Sequence, residues 1–275
     1  MRIRSVAAFV TLVVALGACG DDGDSSREEG QGEDAQTGTD GAPTADSLTI
    51  LVTNDDGVDA PGIDAIVDAL ADDEDLEVVV VAPAENNSGA GEKTTPGDPA
   101  DLPATESTTA SGYPAIAVDG FPADAVNYAL AQGAEPDLVV SGVNLGQNLG
   151  PLTDISGTVG AARAAFAADI PALAVSAGFP ESDDEAADYA TAVEYALDLI
   201  EEFGEEEPNF ELVLVNLNVP TCSDGEVRQL IEAPLAESDV GAVDPANCSS
   251  DLDAPVDDIE AFLNGFATVT ALDTE

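Results

Sequence analysis

The sequence predicts an α/β fold, an open and mostly parallel sheet covered by helices. Three observations carry this. Short β-branched runs alternate with segments of helical spacing along most of the chain. The first strand, helix and second strand form a βαβ unit, and the second strand holds four consecutive valines, the mark of a strand buried on both faces. Hydrophobic residues make up 44% of 275, enough to build a core.

The elements follow in order. Ser47–Thr53 is a buried strand by length and branching, and Asn54–Ala60 a loop. Pro61 suits a first helical turn, and Ile63, Ile66, Val67 and Leu70 recur on one face. Glu77–Ala82 is the second strand. Residues 83–112, rich in Gly, Pro, Ser, Thr and Asn, read as a long loop. Ala115–Val118 is a strand, Pro122–Ala131 a helix, and Asp137–Val140 a strand running into Ser141-Gly142. A polar, Gly-rich loop over 143–156 precedes an Ala-rich helix over Thr158–Ala168 and a strand at Ala172–Ser176. A helix over 184–203 carries Tyr189, Val193, Leu197 and Ile200 on one stripe. Glu211–Val219, Glu226–Ile231 and Phe266–Thr270 complete the strands, with acidic loops between.

Ahead of this domain, at 47–275, two further segments are expected. Residues 1–19 read as a signal peptide: Arg2 and Arg4 form its basic end, and Val6–Ala15 is apolar but too short to span a bilayer. It closes in Leu16-Gly17-Ala18-Cys19, which resembles a bacterial lipobox with Cys19 as the lipidated residue. A plain signal with an incidental Cys is the alternative. Residues 20–46 are Gly, Asp, Glu, Ser and Thr without apolar periodicity, a self-repelling tether. The expected location is outside the cytoplasm, anchored to the membrane by lipid alone or else secreted. With Cys19 lipidated, Cys222 and Cys248 remain, either as a disulfide or as two buried thiols.

The charge narrows the chemistry. The chain has 56 acidic side chains against 6 Lys plus Arg, a formal charge of −50, and no His. Duplex nucleic-acid binding is excluded, because it needs cations to displace counterions. So are the Ser-His-Asp triad, the Cys-His pair and His-ligated zinc. Such acid excess suits a surface working in concentrated salt, where the Debye length is about 3 Å at 1 M. It suits equally a soluble exported protein that resists aggregation.

Ligands of open α/β sheets bind beyond the carboxyl ends of the strands. Three strands here end in unusual polar runs. Asn54-Asp55-Asp56-Gly57 places two carboxylates side by side, stable beside a hard cation such as Mg²⁺, Mn²⁺ or Ca²⁺, or else a solvated turn. Glu85-Asn86-Asn87-Ser88-Gly89 adds a hydroxyl and amides, or a simple turn. In the run Ser141–Gly150, Asn144 offers a carbonyl oxygen to the same cation, and Ser156-Gly157-Thr158 then opens a helix whose free N–H groups suit an anion. An ordinary Ser N-cap on a close-packed helix is the alternative. Together these describe a hard cation beside an anion cradle, the layout for hydrolysing a phosphate ester.

These stretches, in this order, resemble the SurE family of metal-dependent phosphatases acting on nucleoside monophosphates. The match runs from Ile-Leu-Val-Thr-Asn-Asp-Asp-Gly57 and Ala60-Pro61-Gly62 through Val-Val-Ala-Pro83 with Asn86 and Ser88, Gly120 with Pro122-Ala123-Asp124, Ser141 to Gly150, and Ser156 to Ala162. It continues through Ile170–Ser176 and Val215–Pro220 to Gly265–Thr270. The resemblance implies a Rossmann-like three-layer fold whose C-terminal extension swaps between subunits, giving homodimers or homotetramers. It implies one divalent cation per subunit (Mg²⁺ or Mn²⁺, with Ca²⁺ as the other choice) on Asp55, Asp56, Ser88 and Asn144, and phosphate contacts from Ser156, Gly157 and Thr158. Asn54 and Asn86 stand second to these. Asp55 or Asp56 would take the proton of the attacking water, and the substrate would be a nucleoside 5'- or 3'-monophosphate. The chain departs from the family in having Glu85 and Asn87 where basic residues often flank the loop Ser, Phe121 after Gly120, and Arg163 and Ala164 in place of a usual acid.

Rivals come from other classes. One is a non-catalytic lipoprotein that binds nucleotide or metal on the same fold, and another an acid-rich structural surface protein. An aspartyl-phosphate phosphatase needs Asp-x-Asp after the first strand, and the run here is Asn-Asp-Asp-Gly. A receiver domain needs a Lys after a late strand, and the only Lys is Lys93 in a loop.

Overall fold

The computed structural model describes residues 47–182, 184–205 and 213–272. The expected signal peptide and tether lie outside the described residues. The sheet has nine strands: β1 (Leu48–Thr53), β2 (Leu76–Pro83), β3 (Ala104–Thr108), β4 (Pro114–Val118), β5 (Leu138–Leu145), β6 (Ala172–Ala177), β7 (Leu214–Val219), β8 (Arg228–Glu232) and β9 (Phe266–Ala271). Their order is β3-β4-β2-β1-β5-β6-β7-β9-β8. All neighbours pair parallel except β3 with β4 and β7 with β9.

Helices α1 (Pro61–Ala71) and α4 (Tyr189–Glu205) cover one face, where Ile63, Ile66, Leu70, Ala196 and Ile200 meet Ile50, Val52 and Val140. Helices α2 (Pro122–Ala131) and α3 (Gly157–Ala167) cover the other, packing Val126, Ala161 and Ala165 on Leu51, Val81 and Val139. The result is a three-layer α/β fold with a mostly parallel sheet. Burying each large aliphatic of α1 contributes about 1.5–3 kcal/mol, which fixes the helix more firmly than its propensity does.

Strand order reverses direction at β1, which lies between β2 and β5. That switch point puts the loops after β1, β2 and β5 beside one another.

Several elements differ from expectation. The long loop 83–112 contains β3, a polar edge strand with no fully buried face, so no apolar alternation marks it. Helix α4 starts at Tyr189 rather than 184, because the Asp188 carboxylate caps it by accepting from the Thr191 N–H (3.0 Å). The acidic C-terminal region holds a short helix, α5 (Asp258–Leu263), of only 6 residues, too short to show a period. Strand β5 runs past Val140 to Leu145 through a bulge, and β8 begins at Arg228 rather than Glu226. The start of the strand expected from Glu211 lies outside the described residues.

Cys222 and Cys248 form a disulfide, with Cα atoms 5.8 Å apart and a separation of 26 positions in sequence. Loop closure of that length contributes about 3 kcal/mol. The bridge staples a small apolar cluster of Leu149, Ala236, Ala246, Ile259 and Phe262. Buried Asp258 accepts from the N–H groups of Gly150 (2.7 Å) and Ala236 (2.8 Å), tying this C-terminal segment to the loop after β5. Among the described residues no helix is long and apolar enough to cross a membrane.

Candidate active site

The turn after β1 is built by Asn54. Its Nδ2 donates to the Gly57 carbonyl (2.8 Å), and its Oδ1 accepts from the Gly57 N–H (3.3 Å). Gly57 has φ +108°, a conformation that disfavours a side chain. Asn54 is fully buried, so it shapes the turn that presents Asp55 and Asp56.

Asp55 is 3% exposed. Its Oδ1 accepts from the Thr158 hydroxyl (2.6 Å), and its carbonyl accepts from the Asn87 N–H (2.7 Å). Burial lifts its pKa to about 6; the Thr158 bond opposes this and the neighbouring Asp56 charge adds to it. Asp56 is half-buried. Its Oδ1 accepts from Asn86 Nδ2 (2.9 Å) and its Oδ2 from the Leu145 N–H (3.0 Å). Burial raises its pKa too, against those two bonds. Asn86 Oδ1 in turn accepts from the Ser88 N–H (2.9 Å), so one amide ties the β2 loop to the β1 turn.

Asn144 reaches the site through the bulge in β5. Ser141 pairs with Ala174, yet Asn144 pairs with Ser176 two residues on, so β5 holds one extra residue there. The insertion puts Asn144 on the same face as Ser141, the face that α3 covers. Gly142 permits it: a Cβ there would lie 2.4 Å from the Val175 carbonyl oxygen. Asn144 Nδ2 donates to the Gly146 carbonyl (2.5 Å), which leaves its Oδ1 without a donor among the described residues.

The first turn of α3 sits against Asp55. Gly157 makes this contact possible, since a Cβ at 157 would fall 2.7 Å from Asp55 Cβ and 2.8 Å from its Oδ2. The Ser156 hydroxyl caps the helix by accepting from the Val159 N–H (3.1 Å). Of the expected phosphate contacts, the Thr158 hydroxyl is instead turned to Asp55, and Ser156 takes the N-cap role that was its alternative. The structure thus brings Asp55, Asp56, Asn86, Asn144 and the start of α3 to one sheet end. Ser88 sits beside them on the β2 loop, exposed, with no partner for its hydroxyl among the described residues.

The roles of three residues, two of them inside the matched motifs, do not follow from the sequence. Asn148 lies under the site: its Nδ2 donates to Ser176 Oγ (2.9 Å), and its carbonyl accepts from Asn216 Nδ2 (2.8 Å) and Asn218 Nδ2 (3.2 Å). The signal was present, because Asn216 and Asn218 alternate with buried Leu217 and Val219 at the period of a strand. Tyr189, read only as part of a helical stripe, is pushed up in pKa by burial and then by the Asp56 charge. Asp124 is structural, accepting from the Thr95 N–H (2.9 Å), the Thr95 hydroxyl (2.7 Å) and the Phe121 N–H (2.9 Å), which pins the long loop to α2.

The donor set fits a hard divalent cation. It comprises two adjacent carboxylates, an amide oxygen and a hydroxyl, all oxygen atoms. Among the described residues no group of three or more His, Cys, Asp or Glu assembles, so the neutral oxygens of Ser88 and Asn144 would have to complete the set. The ion pairs of Arg163 and Arg228 go to Glu92, Asp154 and Asp253, leaving Asp55 and Asp56 without a basic partner among the described residues. A buried and a half-buried acid side by side, with no compensating cation among the described residues, are the electrostatic condition for binding one.

Comparison with known proteins agrees. The family model described as Survival protein SurE matches residues 50–240. The 5'-nucleotidase SurE of Brevibacillus brevis is 38% identical over 198 residues, covering 69% of this chain and 72% of that protein. That of Dehalococcoides mccartyi is 35% identical over 240 residues, covering 82% and 88%. The crystal structure of the SurE protein from Aquifex aeolicus superposes with a TM-score of 0.62 at 26% identity, covering 82% of this chain and 92% of that one. Sequence, fold and site geometry therefore agree that this chain belongs to the SurE family.

Proposed function

We propose that the chain is a nucleotidase, hydrolysing nucleoside 5'- or 3'-monophosphates to nucleoside and phosphate. The observation that carries this is the uncompensated Asp55–Asp56 pair set against the first turn of α3. Asp55, Asp56, Ser88 and Asn144 would hold one divalent cation, Mg²⁺ or Mn²⁺. Such a cation neutralises phosphate oxygens and acidifies a bound water. Asp55 or Asp56, whichever is less tied to the cation, takes the proton of the attacking water; Thr158 orients the first carboxylate, and Asn86 and the Leu145 N–H orient the second. The first turn of α3 turns its N-terminal end, with the Gly157 N–H, toward the charge that develops on the phosphoryl oxygens, while the Thr158 N–H and hydroxyl hold the Asp55 carboxylate. No His serves the leaving group, so its proton comes from water or a carboxyl.

The same reading extends to the chain's setting. Arg2, Arg4 and the Leu16–Cys19 box support export and lipid anchoring at Cys19, and the Cys222–Cys248 disulfide suits an oxidising compartment. The family resemblance supports assembly as a dimer or tetramer through the C-terminal segment.

Phosphate release tests the activity. The full chain is assayed with AMP, GMP, CMP, UMP and p-nitrophenyl phosphate, with Mn²⁺ or Mg²⁺ against chelator. Cation-dependent release that Asp56→Asn abolishes is the expected result. Folded protein that binds nucleotide and releases no phosphate would point instead to a binding lipoprotein.

A further inference from the structure

Among the described residues seven large hydrophobic side chains are exposed, and two of them, Leu145 at 43% and Phe179 at 39%, lie beside Asn144 and Gly146 in the loop after β5. Leu145 directly follows Asn144, and its N–H is held by the Asp56 carboxylate. The Phe179 ring lies on the backbone of Gly146, so close that a Cβ at 146 would fall 2.2 Å from the ring's edge. The Gly146 carbonyl is the one held by Asn144 Nδ2. Phe179 is also anchored, because its N–H donates to Gln147 Oε1 (3.0 Å), and buried Gln147 donates in turn to the Asp244 carbonyl (2.9 Å). An aromatic ring on Gly146 and a branched aliphatic at the residue whose N–H Asp56 holds thus stay partly exposed at this end of the sheet.

We propose that Phe179 and Leu145 form the shelf that holds the base of the nucleotide while its phosphate sits at Asp55 and Asp56. This rests on the nucleotidase reading and names the residues that select for a nucleoside. Cation-based recognition of the base has little to draw on, since the cations among the described residues are Lys93, Arg163 and Arg228, and both arginines are paired elsewhere. Stacking needs no charge and tolerates any base.

The test compares AMP with ribose 5-phosphate, which keeps the phosphoester and lacks the base. Both kcat/KM and calorimetric Kd are measured with Mn²⁺ for wild type, Phe179→Ala, Phe179→Trp, Leu145→Ser and, as a distant control, Val240→Ser. The preference of wild type for AMP over ribose 5-phosphate is expected to fall about tenfold in Phe179→Ala. It returns in Phe179→Trp, falls less in Leu145→Ser, and holds in Val240→Ser. No preference in wild type, or an equal preference in Phe179→Ala, overturns the shelf. Absence of turnover with either compound overturns the nucleotidase reading alone, since the Kd ratio still reports on the shelf.

Discussion

The Thr158 hydroxyl donates to Asp55 Oδ1 over 2.6 Å, joining the first turn of α3 to the end of β1 across 103 residues of chain. This bond fixes the orientation of the Asp55 carboxylate at the end of β1. Thr158→Val removes the donor with little change in volume. The expected result is a kcat lowered about tenfold to a hundredfold, with Thr158→Ser restoring most of it. A Thr158→Val enzyme as fast as wild type would show that the carboxylate needs no such anchor.

How the two loops meet was legible only in part. Asp55, Asp56, Asn144 and Thr158 stood out because polar runs after apolar strands are uncommon, and the switch point of a parallel sheet gathers strand ends. The roles of the hydroxyls did not follow. Sequence shows that Ser156 and Thr158 open a helix, but only coordinates show the first accepting from Val159 and the second donating to Asp55. The face on which Asn144 lies was hidden as well, because a one-residue bulge inverts the alternation that sequence relies on. Strand β3 was lost for a plainer reason: an edge strand with polar side chains carries no apolar period.

Gly157 should tolerate no side chain. Alanine there places its Cβ 2.7 Å from Asp55 Cβ, so α3 or the β1 turn must shift. Overpacking of this kind costs about 1–3 kcal/mol. A shift of the carboxylate by even part of an ångström should lower kcat about a hundredfold. Urea denaturation and steady-state kinetics on Gly157→Ala read the two effects separately. A variant normal in both would mean that the contact between α3 and Asp55 is looser in solution.

Asp55 should make the cation-free protein less stable as pH rises. Its pKa in the fold is about 6 against an ordinary 3.8, so the folded state binds this proton more tightly than the unfolded chain. The contribution is fully present below about pH 4 and is lost as pH rises through about 6, a difference of roughly 3 kcal/mol. Asp55→Asn cannot titrate, so subtracting its stability from that of wild type isolates the group from the acid-rich background. In chelator, the difference should turn against wild type between pH 4 and pH 7. Saturating Mn²⁺ should reverse the slope, because a cation favours the ionised carboxylate. A difference that stays flat in chelator would mean that Asp55 remains ionised throughout.

The formal charge of −50 sets the last expectation. A nucleotide is an anion, and a surface this acidic repels it at long range. The effect should appear in KM rather than kcat, because it acts on approach and binding, whereas the reacting groups lie within a few ångströms of each other. Screening is strong once the Debye length drops from about 10 Å at 0.1 M salt to about 3 Å at 1 M. With the divalent cation held saturating, KM for AMP should therefore fall severalfold between about 0.1 M and about 2 M KCl while kcat changes little. Stacking on Phe179 is uncharged and is strengthened, if anything, by salt. Activity that is greatest at low ionic strength would mean that the bound cation alone outweighs the field of the surface, and that the acid excess serves solubility and not catalysis in brine.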